Sequence, residues 1–124
     1  MKNNALKEVF NLVAATKEKG LIFSHFNPLS EAKVTELQNA ITKALKTKEV
    51  KDNTPLTESL LQASGAIDKY TAMPKTFQEP IYTSVGNWPY TSTVLAGYKS
   101  VENGDRPRTL KKMQRKLYKT LKKT

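Results

Sequence analysis

Along most of this chain the apolar positions recur with the period of an α-helix. Leu6, Val9, Phe10 and Val13 fall at i, i+3, i+4 and i+7, which places them on one helical face. The spacing predicts a first helix over about 4–19, capped by Asn3 or Asn4. Lys17 and Lys19 would then meet the negative end of its dipole, with Gly20 as a left-handed stop. Leu21, Ile22, Phe23 and Phe26 form an apolar connection to Asn27-Pro28. A second helix is expected from the N-cap Ser30 to about Lys48, with Leu29 and Val34 as a hydrophobic staple and Leu37, Ile41, Ala44 and Leu45 extending the stripe. Thr54-Pro55 reads as a cap and first helical position. Leu56, Leu60, Ala63, Ile67 and Tyr70 follow at helical spacing. Gly65 weakens this third helix and suggests a close approach to a neighbouring helix.

The pattern changes after Tyr70. Pro74, Pro80 and Pro89 prevent a long helix, while Ile81, Tyr82, Thr83 and Val85 favour extended chain. Residues 73–91 read as an irregular loop rich in proline and aromatics. Within it Gly86-Asn87 offers a two-residue hairpin turn, although Pro89 would confine a returning strand to a sheet edge. Val94, Leu95, Tyr98 and Val101 then predict a short helix over 92–102, ended by Asn103-Gly104. In the last nineteen residues Leu110, Met113, Leu117 and Leu121 repeat at three, four and four. The expected fold is therefore mainly α: a small bundle of about four helices, an irregular loop and an amphipathic C-terminal helix. The expected domains are 1–105, able to fold alone, and 106–124 as a basic helix or extension.

Charge sharpens the picture of that last segment. The chain of 124 residues carries 21 Lys and Arg against 11 Asp and Glu, a net +10. Residues 106–124 contain Arg106, Arg108, Lys111, Lys112, Arg115, Lys116, Lys119, Lys122 and Lys123, and no acidic residue. Residues 1–105 hold 12 basic and 11 acidic side chains, so +9 of the +10 lies in the final nineteen positions. Like charges at this density repel one another, which points to an anionic partner for the cations, while the narrow leucine stripe should dock either on the protein's own domain, leaving the lysines merely solvated, or on that partner. The leading expectation is a non-enzymatic protein associated with nucleic acid, DNA or RNA. It would act as a small accessory subunit of a nucleoprotein assembly and touch the phosphate backbone through those nine residues. A second reading is an interaction module of the immunity or inhibitor type, acting on an acidic protein surface or an anionic membrane. A third is a structural component of a phage-like particle.

The remaining chemistry is sparse. There is no cysteine, which rules out disulfides and thiolate chemistry, and an interior, cytoplasmic location is expected. The start of the chain has no signal-peptide pattern, and no apolar run approaches the ~20 residues of a membrane span. His25 is the single histidine, without a second ligand beside it, so neither metal, cofactor nor catalytic residue is expected. Tyr82, Trp88 and Tyr90 are expected to close one end of the thin helical core. Their other reading is an interaction surface that stacks on bases or anchors a protein.

Overall fold

The computed structural model describes residues 3–18 and 25–123. Gly20, the predicted stop of the first helix, and the apolar connection Leu21, Ile22 and Phe23 lie outside the described residues, as does the side chain of His25. The chain groups into two compact units, residues 1–72 with 105–124, and residues 73–104.

The first unit is helical. α1 (Asn4–Ala14) buries Leu6, Val9 and Val13, and Asn3 caps it by accepting from the Ala5 and Leu6 N–H groups. It ends five residues before the sequence pattern suggests. Thr16 is held by three other contacts: its hydroxyl donates to Val13 O, its carbonyl accepts from Asn27 N–H, and its Oγ1 accepts from Gln114 Nε2. Beyond it β1 (Lys17–Glu18) pairs antiparallel with β2 (His25–Phe26). α2 (Glu31–Leu45) starts at Ser30 as predicted, its hydroxyl accepting from Lys33 N–H. It stops before Lys48 because Thr47 turns the chain, donating to Ala44 O and accepting from Asn3 Nδ2. A single-turn helix, α3 (Lys48–Lys51), follows and buries Val50. α4 (Thr54–Ala72) is capped by the Asn53 side chain on the Leu56 N–H, one residue earlier than expected. Gly65 is exposed, and a Cβ there would meet nothing within 4 Å, so no helix approaches it.

α5 (Asp105–Lys122) completes this unit rather than extending it. Leu110, Met113, Leu117 and Leu121 are at most 4% exposed and belong to the same buried cluster as Leu6, Leu37, Ile41 and Leu60. A division at Asp105 therefore does not follow the packing. Gln114 is fully buried on the same face. Its Oε1 accepts from Leu29 N–H at 3.3 Å, and its Nε2 donates to Thr16 Oγ1 at 2.7 Å and Asn27 O at 2.9 Å. Every polar atom of that amide is satisfied, so burial costs little, and α5 is fastened to the chain that leads into α2.

The second unit overturns the reading of residues 73–104. In place of a loop and a helix there is a hairpin of β3 (Thr76–Val85) and β4 (Ser92–Glu102), paired from Thr76↔Glu102 to Val85↔Ser92. Among the described residues the protein thus has five helices and two antiparallel strand pairs, a mixed α/β fold rather than a helical bundle. Val94, Leu95, Tyr98 and Val101 fit a helical stripe on paper. Thr93, Val94, Tyr98 and Val101 are β-branched or aromatic, however, and a partner strand of the same character decides for the strand. Pro80 lies inside β3, tolerated because each strand of a two-stranded ribbon is an edge. Pro89 lies in the connection instead, in the turn closed by Tyr90 N–H on Asn87 O, where the Trp88–Pro89 bond is cis. The connection spans residues 86–91, longer than a two-residue turn. Gly86 is required there: its φ is +98°, and a Cβ would lie 2.5 Å from Tyr90 O. At the base of the hairpin Asn103 joins the two ends, its Nδ2 donating to Pro74 O and its backbone N–H to Lys75 O.

Candidate nucleic-acid interface

A helix of 18 residues with Leu110, Met113, Gln114, Leu117 and Leu121 buried turns most of its other side chains to water or to a partner. On a helix of 3.6 residues per turn, Arg108, Lys111, Lys112, Arg115, Lys116, Lys119, Lys122 and Lys123 fall within an arc of about 140° opposite the leucine stripe. Of these, Lys111 is half-buried and the other seven are exposed. The packing thus gathers eight of the nine predicted residues on one face.

Arg106 is the exception. It lies on the inward side, with its guanidinium 4.4 Å from the centre of the Tyr70 ring and its Nε donating to Tyr70 O. That combination of cation–π contact and hydrogen bond holds the start of α5 to the end of α4, a structural task that its place in the charge run does not reveal. Arg108 forms an exposed salt bridge with Asp105 at 3.7 Å, a weak contact in high dielectric. Among the described residues, no carboxylate pairs with Lys112, Arg115, Lys116 or Lys119.

Beside this face runs a groove of about 590 Å³ between α4 and α5. Small residues on α4, Ser59, Ala63 and Ala66, keep the two helices from filling it. Lys69, Lys112, Lys116 and Lys119 stand among its lining, over Met113 and Leu117. Ser59 and Thr120 add hydroxyls, 3.4 Å apart. Lys69 was not among the residues singled out in the sequence, where it is one lysine in an ordinary amphipathic helix. Only the packing of α4 on α5 makes it part of the cationic surface. On the opposite side of α5, Tyr118 stacks on Phe10 at 5.5 Å with Phe26 edge-on, and Lys17 lies 4.8 Å from its ring centre.

No family model, curated protein or solved structure matches this chain.

The aromatic residues of the hairpin do not close the helical core. Tyr82, Trp88 and Tyr90 are 62%, 87% and 86% exposed. They stand on a surface that carries Lys75, Lys99, Glu79 and Glu102, a net charge of zero, whereas the helical unit carries 19 basic and 9 acidic residues, the full +10. The cationic face and these exposed aromatic side chains thus belong to different units. Among the described residues there is no group of three potential metal ligands, and no helix is long and apolar enough to cross a membrane.

Proposed function

We propose that this protein is a non-enzymatic binding protein whose helical unit contacts the phosphate backbone of a nucleic acid, as a small accessory subunit of a nucleoprotein assembly. One observation carries the reading: the apolar stripe of α5 is already buried in the protein's own core, while seven of the eight cations on its opposite face are exposed. A membrane-surface helix needs that stripe free to enter lipid, so the packing favours phosphate over bilayer. Lysines on a fixed helix also meet a polyanion without first paying to order the backbone, and binding gains from release of condensed counterions. The lysine-lined groove between α4 and α5 gives a strand a place to lie.

Phosphate contacts position a partner without reading its sequence. Affinity should therefore vary little among duplexes of different sequence and fall steeply with salt. With roughly five phosphates neutralised, log K against log salt should have a slope of about −4.5 for duplex and −3.5 for single strands. Replacing Lys112, Arg115, Lys116 and Lys119 together with Gln should flatten that slope to about −1 and weaken binding to all sequences alike. Fluorescence anisotropy over a salt series measures both. Failure to retain either duplex or single strand at physiological salt, or a slope unmoved by the fourfold variant with its helicity intact, would overturn the reading.

A further inference from the structure

A two-stranded ribbon with no sheet neighbour is marginal in water, and this one contains no buried apolar residue. Nine of the ten exposed large hydrophobic residues of the described chain lie on it. They divide between its two faces and the connecting turn: Phe77, Ile81, Val85 and Val94 on one face, Tyr82, Leu95 and Tyr98 on the other, and Trp88 and Tyr90 in the turn. The hairpin itself carries no net charge, so contact between two copies there does not set an excess of one sign against itself.

The register shows which surface fits a second copy. Directly opposed residues in an antiparallel pair share a face. One face carries Phe77 opposite Val101, Glu79 opposite Lys99 and Ile81 opposite Gly97. The Glu79 and Lys99 side chains are 3.9 Å apart and both more than half exposed. A two-fold axis parallel to the strands, at the ~10 Å spacing of stacked sheets, sets β3 of one hairpin over β4 of the other. Each cross-strand pair then meets its own reverse. Glu79 faces Lys99 of the second copy and Lys99 faces its Glu79, closing a ring of alternating charge. Ile81 faces Gly97 of the second copy, which has no side chain, and a Cβ placed at Gly97 would meet nothing within 4 Å. A large side chain lies over an open hollow, and each charge over its opposite.

We propose that this face of the hairpin binds a second copy of the chain, forming a two-fold dimer of hairpins stacked face to face.

Sedimentation equilibrium of the full chain tests it. The wild type is expected at twice the chain mass, and E79K or K99E alone should weaken dimerisation at least about tenfold, because like charges then meet across the axis. An equimolar mixture of E79K and K99E should regain the dimer. In that mixture each chain still holds a like-charge pair across its own two strands, so only contact between chains can restore association. Ile81→Ser, which leaves the backbone ladder untouched, is a second variant expected to be monomeric. Leu95→Ser, on the opposite face, should leave the mass unchanged. A wild type that stays monomeric at about 100 µM would overturn the proposal. So would a dimer indifferent to E79K, a mixture that stays monomeric, or a dimer lost equally with Leu95→Ser. A monomer whose Trp88 emission shifts with single-stranded oligonucleotide or anionic vesicles would assign the ribbon to those partners and equally overturn it.

Discussion

The helical unit and the hairpin place the same residue types in opposite environments. In the helical unit leucines, valines and isoleucines recur with helical spacing and, among the described residues, come together with alanines, Phe26, Tyr70 and Met113 as twenty buried side chains, leaving the charges outside. In the hairpin, Ile81, Val85 and Val94 share one face and Leu95 lies on the other, and none is buried. Periodicity tells a chain which residues share a face; a second layer is needed before that face has an inside. Five helices supply one another with that layer, and two strands do not. The helical unit is accordingly where stability resides, and the hairpin is where apolar surface remains for association.

The most severe way to break this contrast is to end the chain after Gly104. Removing α5 takes Leu110, Met113, Leu117 and Leu121 out of the core and leaves Leu29 N–H and Asn27 O without the Gln114 amide. The remainder is expected to lose cooperative thermal unfolding, as followed by circular dichroism. A sharp melting transition would show instead that residues 1–104 have a sufficient core of their own.

A matched pair of substitutions tests the same contrast at single residues. Leu60→Ala, at a position 0% exposed, should cost about 2–5 kcal/mol in chemical denaturation. Leu95→Ala, at 49% exposure, should stay within about 0.5 kcal/mol. Equal costs would mean that the hairpin is covered in solution on the face that carries Leu95.

The smallest effect has the opposite sign. Gly65→Ala, in mid-helix with open space around the new methyl group, should stabilise the protein by roughly 0.5–1 kcal/mol. A destabilisation would show that something approaches α4 at this point.

Much of the helical unit was legible because helix formation is local. The staple at Leu29 and Val34, the Ser30 cap and the stripes of α1, α2, α4 and α5 all depend on residues three to five apart. The ends of those helices were less legible. Thr16 and Thr47 stop α1 and α2 through bonds to Gln114, Asn27 and Asn3, all distant in sequence from at least one partner. Residues 92–102 were misread for a related reason. Val94, Leu95, Tyr98 and Val101 satisfy a helical spacing, and only the ladder to residues 76–85 shows that they form a strand.

The sequence by itself determined the concentration of positive charge at the end of the chain and the amphipathic helix that carries it, since both follow from residue type and spacing. Tertiary structure decided which way that helix faces. Leucines that an isolated helix would offer to lipid are buried against α4 and α1, Arg106 is turned inward to Tyr70, and Lys69 of another helix joins the cationic groove. Spacing along one helix specifies which residues lie together. What they lie against depends on contacts between segments tens of residues apart, and no local pattern encodes those.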